Sequence, residues 1–150
     1  MDTLEETAGD ISASTKPPLR VLVIDDDDCV CTAIRAILSR RNGETAIAPR
    51  AAPGIRALET SRFDIVVIDV FMPGLSGLHT IAHIRRKSTV PIIVMSGFRL
   101  RQTPGAENYF AMAMQRGAST WLRKPFSPPQ LIEAIDRSLA AAHFTGTLTQ

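Results

Sequence analysis

The sequence predicts an α/β protein, a three-layer α/β/α sandwich with a parallel sheet in the strand order 2-1-3-4-5. Short apolar segments of strand length alternate along the chain with segments in which apolar residues recur at helical spacing. The strand segments are mostly apolar throughout, which is typical of a parallel sheet covered by helices on both faces. Right-handed crossovers leave few topologies for such a chain, and this strand order is the natural choice for its length.

Size and composition indicate one globular domain. The chain has 150 residues, 45% of them hydrophobic, and a net charge of +2. Its arginines are spread over several predicted helices, so we expect no direct binding of nucleic acid. No apolar run reaches the length of a membrane span, and the N-terminus does not resemble a signal peptide, so we expect a cytoplasmic protein without membrane contact. Cys29 and Cys31 match neither a redox motif nor a zinc motif, and we expect buried or half-buried thiols.

The N-terminal part of the chain leads to a run of four aspartates. Residues 1–18 lack periodicity and end in two prolines, which predicts a flexible arm. The first strand, 20–24, runs directly into the aspartates, and the later ones suit the N-cap and first turn of an amphipathic helix that stops at Gly43. Asp25 and Asp26, nearest the strand end, are not needed for this capping role.

The middle of the chain contains the most distinctive strand. A short, weak strand is predicted at 45–48 and a short helix at 53–58. The central strand, 65–68, is a run of β-branched residues that ends abruptly in the carboxylate of Asp69. A Met-Pro-Gly turn then precedes a helix over 78–84.

The next part of the chain contains an unusually long connection. A fourth strand, 90–95, ends at Ser96, and the connection 98–107 follows before a short helix at 108–116. In such a compact fold this length is unusual, so we expect the connection to matter for function.

The last strand, 119–123, leads to Lys124. Ser127 and the proline after it are typical of the N-cap and first position of a final helix. We place the folded domain at 19–142 and expect residues 143–150 to form a polar tail. The domain as a whole corresponds to a flavodoxin-like (βα)5 fold.

Polar side chains end four of the predicted strands at one edge of the sheet, where open α/β sheets bind their ligands. They are Asp25 with Asp26, Asp69, Ser96 and Lys124. Carboxylates about 4 Å apart repel by about 4 kcal/mol per pair at an effective dielectric constant of about 20, so the cluster needs a cation or a proton. Carboxylate oxygens suit Mg²⁺, which in turn favours a phosphoryl group. A lysine and a serine would complete such a site.

Four stretches of the sequence carry a resemblance to a known family. In order they are V-L-V-I-D-D, V-V-I-D-V-F-M-P-G-L-S-G, I-V-M-S-G and W-L-R-K-P-F. Together they are similar to the signatures of the receiver domain of two-component response regulators, over roughly 19–142. Each is weak alone, but the set is highly specific.

The resemblance implies a phosphorylation site that requires Mg²⁺. Asp69 would be the phosphoacceptor and would take a phosphoryl group from a phosphohistidine on a histidine kinase or a histidine phosphotransfer protein. Asp25 and Asp26, together with Asp69 and the backbone carbonyl of Phe71, would hold the Mg²⁺. Such a protein is a signalling phosphoacceptor and not an enzyme with turnover.

The resemblance also implies a switch. Lys124 would pair with the phosphoryl group, and Ser96 would move toward it as the switch hydroxyl. Trp121 stands where the family usually has a tyrosine or phenylalanine that turns inward when the hydroxyl moves. The bond between Lys124 and Pro125 would be cis, which is inexpensive only before proline.

The sequence departs from the family pattern at positions around the phosphoacceptor. Phe71 and Phe98 are large and apolar at positions where receivers tune dephosphorylation, and Gly97 belongs to the same tuning group. Our hypothesis is that the two phenylalanines shield the acyl phosphate from water. Ser76 stands where an aspartate is common, and serine also caps helices well.

Three functions fit this sequence to different degrees. The leading one is a stand-alone receiver that signals to an unknown protein target, with homodimer formation possible, because few residues follow Ala142. The alternative is a pseudo-receiver, a binding module without phosphotransfer. An aspartyl-phosphate hydrolase would need a second aspartate at Phe71. Two other groups are interpreted as ordinary structure: His79 and His83 as exposed helix residues, and the pair 112 and 114 as core or interface methionines.

Overall fold

The computed structural model describes residues 16–71, 76–97 and 106–148, except for the side chains of 106–107 and 144–148. One parallel five-stranded sheet has the order β2-β1-β3-β4-β5. Its strands are β1 (Leu19–Ile24), β2 (Gly43–Ala48), β3 (Ile65–Asp69), β4 (Ile92–Ser96) and β5 (Thr120–Arg123). The helices that alternate with them are α1 (Asp28–Ser39), α2 (Ala51–Thr60), α3 (Gly77–Arg85), α4 (Ala106–Gln115) and α5 (Pro128–Leu148). The predicted flavodoxin-like sandwich and its strand order are confirmed.

The sheet has one hydrophobic core on each face. Successive residues of each central strand point to opposite faces, so Ile65 and Val67 pack with α1 and α5 while Val66 and Ile68 pack with α3 and α4. All of β3 is buried. Burying an aliphatic side chain of this size contributes about 1.5–3 kcal/mol, so the apolar strand ends hold the polar groups after them in fixed positions.

Two elements are longer than the sequence predicted: the edge strand β2 and the helix α2 that follows it. β2 begins at Gly43, and α2 spans ten residues from Ala51 to Thr60. Pro53 lies in the first turn of α2, where a missing backbone N–H costs no hydrogen bond. Gly54 allows close packing, because a Cβ there would come within 2.5 Å of the Ile24 side chain.

The last helix also extends beyond its predicted end. α5 continues to Leu148, past Ala142, where we expected a polar tail to begin. Residues 140–142 are all alanine, the strongest helix former, and no proline follows to stop the helix.

Several expectations about side-chain burial need correction. Cys31 is buried as expected, but Cys29 is exposed in the first turn of α1. Met112 and Met114 are exposed on α4, so they are not core residues. The expected interface role remains a prediction.

Some of the expected features lie outside the described residues. They are the arm up to residue 15, the Met-Pro-Gly turn at 72–74, and the connection from Phe98 to residue 105. Among the helices that are described, none has the length and apolar character needed to cross a bilayer.

Candidate functional site

Three charged side chains from three strand ends meet at the carboxyl edge of the sheet. Lys124 Nζ donates to Asp25 Oδ2 at 2.7 Å and to Asp69 Oδ2 at 3.1 Å. Asp25 follows β1, Asp69 ends β3 and Lys124 follows β5. The two aspartates are only 1% and 6% exposed. A single ammonium group therefore balances two buried carboxylates.

Backbone groups hold each carboxylate in place. The Asp25 Oδ1 atom accepts the backbone N–H of Asp27 at 3.0 Å, and Asp69 Oδ1 accepts that of Phe71 at 3.1 Å. Asp27 in turn caps α1 by accepting the N–H of Cys29 at 2.9 Å. The aspartate run thus divides as the sequence predicted, with the later residues serving the helix and the earlier ones facing the site.

Burial and ion pairing act against each other in the electrostatics of this cluster. Burial raises the pKa of Asp25 from 3.8 to about 6, despite its hydrogen bonds to Lys124 and to the backbone of Asp27. Burial alone would lower the pKa of Lys124, but its hydrogen bond to Asp25 and the charge of Asp69 outweigh that effect and raise it. Lys124 therefore stays charged, while an ionised Asp25 is costly without further positive charge.

The acidic groups form a set that suits a divalent cation. Asp25, Asp26 and Asp69 each offer a carboxylate oxygen, and these oxygens lie within 4.8 Å of one another. Octahedral Mg²⁺ binds oxygen at about 2.1 Å and keeps several waters, so a small cluster of this size with one exposed member fits it. Three carboxylates and one ammonium group carry two net negative charges, which a divalent ion neutralises. The Phe71 carbonyl remains a predicted ligand.

Ser96 lies at the end of β4 beside this cluster. It is buried and pairs in register with Arg123 of β5, and its carbonyl accepts the N–H of Lys124 at 2.7 Å. The bond between Lys124 and Pro125 is cis, as the resemblance implied. β4 and β5 thus bring the serine and the lysine to the same edge of the sheet.

Comparison with known proteins identifies the family. The family model described as the response regulator receiver domain matches residues 21–136. The chain belongs to this family. Receiver domains act in two-component systems, and phosphorylation and dependence on Mg²⁺ are general to them.

Individual relatives agree with this assignment. The chain is 31% identical over 123 residues to the transcriptional activator protein PfeR of Pseudomonas aeruginosa, covering 82% of the chain and 38% of PfeR. It is 34% identical over 114 residues to the uncharacterized transcriptional regulatory protein YrkP of Bacillus subtilis, covering 75% of the chain and 46% of YrkP. The chain therefore spans less than half the length of these curated relatives.

A solved receiver structure is matched over almost its whole length by part of this chain. The crystal structure of a response regulator receiver domain protein from Clostridium thermocellum has a TM-score of 0.72 and 26% sequence identity, covering 85% of this chain and 98% of that one.

The predicted switch aromatic of this receiver lies on the outside. Trp121 is 40% exposed, and its ring meets Phe110 of α4 edge to face with centroids 3.9 Å apart. The Arg123 guanidinium lies 5.2 Å from the same ring. Two neighbours therefore hold Trp121 outward.

A pocket of about 550 Å³ opens above the carboxylates. Its lining comes from the ends of β1, β3, β4 and β5, the residues that follow them, and the first turn of α1: Asp26, Asp27, Val30, Asp69, Phe71, Gly97, Lys124 and Pro125. Phe71 is 38% exposed and stacks on Tyr109 of α4. Sequence reasoning missed Tyr109 and Val30, because only the packing of helices against the sheet brings them near the site.

The histidines of α3 do not join the acidic site. His79 is exposed and His83 half-buried. The Nδ1 atom of His79 lies 2.6 Å from the hydroxyl of Ser76, which caps α3 by accepting the backbone N–H of His79. Ser76 therefore caps the helix, as the sequence predicted.

Proposed function

We propose that this receiver is a phosphorylation switch in which Asp69 accepts a phosphoryl group from the phosphohistidine of a histidine kinase or a histidine phosphotransfer protein. The observation that carries the proposal is the bridge from Lys124 to both Asp25 and Asp69. The bridge supports the proposal because it brings together the side chains that would serve as nucleophile, counter-charge and carboxylate ligands.

The chemistry is a transfer between two partners. A carboxylate oxygen of Asp69 forms a bond to phosphorus, the bond from phosphorus to the imidazole nitrogen breaks, and its electron pair stays on the histidine. The Phe71 N–H, 3.1 Å from Asp69 Oδ1, fixes the orientation of the attacking carboxylate. The ammonium group of Lys124, 3.1 Å from Asp69 Oδ2, would pair with the phosphoryl oxygens.

The three aspartates of the site would hold the metal. Asp25, Asp26 and Asp69, with the Phe71 carbonyl, would bind Mg²⁺, which offsets the repulsion between the carboxylates and the incoming phosphoryl oxygens. Ser96 would hydrogen-bond the phosphoryl group and couple it to Trp121. Removing Trp121 from the surface would then change the face that a partner meets.

Signalling by protein contact is supported by exposed apolar side chains, of which Trp121 is one. Met112 and Met114 of α4 are also exposed, and such side chains adapt to a partner surface. PfeR and YrkP are named as transcriptional proteins, but the chain covers less than half of each. We therefore propose a protein target, which itself can control transcription, and no direct contact of this domain with nucleic acid.

Phe71 would set the lifetime of the phosphorylated state. Its partly exposed ring lines the pocket two residues after Asp69, where it restricts the approach of water to the acyl phosphate. Phe98 and Gly97 belong to the same proposal. Phe71→Asn should shorten the lifetime of phosphorylated Asp69, and an unchanged lifetime would contradict this role.

The decisive experiment is phosphorylation by a small donor. Incubation with Mg²⁺ and acetyl phosphate should add one phosphoryl group by intact mass, and beryllofluoride should change the fluorescence of Trp121, the only tryptophan. Asp69→Asn should abolish both effects. A wild-type protein that gains no mass and shows no fluorescence change would instead be a pseudo-receiver, a binding module that keeps the fold without phosphotransfer.

A further inference from the structure

Phe71 is a rim residue of the phosphoryl pocket that needs external support. Phe71 is 38% exposed and lies two residues after Asp69, the last residue of β3. Core residues therefore do not enclose its ring. A side chain with that much freedom samples several rotamers. The pocket is covered only in those rotamers that keep the ring at its rim.

Tyr109 supplies a contact that favours one position of the ring. The two rings are stacked, with centroids 6.2 Å apart and an interplanar angle of 16°. Offset stacking at this distance is favourable beyond simple burial. Tyr109 is half-buried and packs against the core between the sheet and α4. Of the two rings, Tyr109 is therefore the anchored one.

The next residue of α4 reaches in another direction. The Phe110 ring contacts Trp121 of β5, 3.9 Å away, while Tyr109 contacts Phe71 after β3. Two successive aromatic residues thus join one helix to two different parts of the receiver. Only the Tyr109 contact reaches the rim of the pocket.

We infer that Tyr109 is a positioning residue that holds Phe71 over the phosphoryl pocket, so that the lifetime of phosphorylated Asp69 depends on the position of α4. The inference rests on the proposed function and adds a regulatory input to it. A protein bound to the exposed Met112 and Met114 of α4 can shift Tyr109 and thereby change how fast water removes the phosphoryl group. By linkage, a phosphoryl mimic in the pocket changes the affinity of α4 for that partner by the same factor that the partner changes the affinity for the mimic.

The test compares lifetimes in the full chain. Wild type, Tyr109→Leu, Phe71→Leu and the double variant are loaded with acetyl phosphate and Mg²⁺ and freed of the donor, and the decay of the phosphorylated species is followed by intact mass. Asn108→Ala is the matched control, because it changes an exposed side chain at the position of α4 next to Tyr109. Tyr109→Phe keeps the ring, and Tyr109→Met fills the same core space without a ring if Tyr109→Leu fails to fold.

The inference predicts a specific pattern of half-lives for phosphorylated Asp69. Tyr109→Leu or Tyr109→Met should shorten the half-life by about two- to tenfold, the range that a stacked pair supports, whereas Tyr109→Phe and Asn108→Ala should leave it unchanged. The double variant should match Phe71→Leu, since Tyr109 acts through Phe71.

Other outcomes separate the possible failures. A wild type that loads no phosphoryl group overturns the proposed function and this inference with it. Normal loading with equal half-lives in wild type and Tyr109→Met overturns the inference alone. Additive effects in the double variant, or an equal effect of Asn108→Ala, would show that Tyr109 does not act by positioning Phe71, which also overturns it.

Discussion

Arg85, at the end of α3, forms hydrogen bonds to the turn that precedes β5. Its Nε and Nη2 atoms both donate to the carbonyl of Gly117, at 3.0 and 2.8 Å, and its Nη1 atom donates to the carbonyls of Ser88 and Val90. Hydrogen bonds from a charged donor contribute about 1.5–3 kcal/mol each, but bonds made by one side chain are not additive. Because the side chain is partly exposed and water can replace some of them, Arg85→Ala should lower the free energy of unfolding by about 2–4 kcal/mol.

Urea denaturation of variants would test this value. Arg86→Ala is the matched control, since Arg86 is exposed just after the end of the same helix and should change the free energy of unfolding by less than about 0.5 kcal/mol. Arg85→Lys should fall between wild type and Arg85→Ala, because one ammonium group cannot reach all three carbonyls. Equal losses in Arg85→Ala and Arg86→Ala would refute the reasoning.

Three further predictions concern the acidic site and the last helix. Without Mg²⁺, the pKa of Asp25 is about 6 in the folded protein, higher than its ordinary value of 3.8. The contribution of Asp25 to the free energy of unfolding is therefore greatest below pH 3.8 and is lost as pH rises toward 6. Between about pH 4 and pH 6.5, urea titrations should show wild type losing about 2 kcal/mol relative to Asp25→Asn, and a constant difference would contradict this. Asp26→Asn should leave stability unchanged because Asp26 is exposed, yet it should diminish the rise in melting temperature that Mg²⁺ produces, whereas the exposed-site control Asp28→Asn should retain that rise. Ser127→Ala should cost about 1 kcal/mol without affecting phosphorylation, because Ser127 and Gln130 cap each other at 2.8 and 3.3 Å; a cost near zero in urea denaturation would count against it.

The fold was predictable where burial is complete. β3 is apolar from Ile65 to Ile68, as expected of a strand that helices cover on both faces, whereas a strand with one face in water would alternate apolar and polar residues. The lengths of β2 and α2 were underestimated because burial there is incomplete and the sequence signals are weaker. β2 pairs with only one strand and is half-buried, while Pro53 and Gly54 conceal a helix whose packing against Ile24 requires a glycine.

The convergence of charges at the sheet edge was also predictable, because parallel strands in a known order bring their carboxyl ends together. Asp25, Asp69 and Lys124 needed nothing beyond that order. The contact between Phe71 and Tyr109 and the contact between Trp121 and Phe110 were not predictable. Both depend on how α4 packs against its neighbours, and the long connection before α4 gives no local signal for that packing.

The bridge made by Lys124 also determines when the acidic site can be completed during synthesis and folding. The lysine contacts carboxylates that lie 99 and 55 positions earlier in the chain. Contacts across such separations close large loops and tend to form late in folding. During synthesis, Asp25 and Asp69 emerge from the ribosome long before the ammonium group that balances them. A nascent chain that ends before β5 therefore presents the acids without their counter-charge, and the pocket is complete only when the whole sheet has been made.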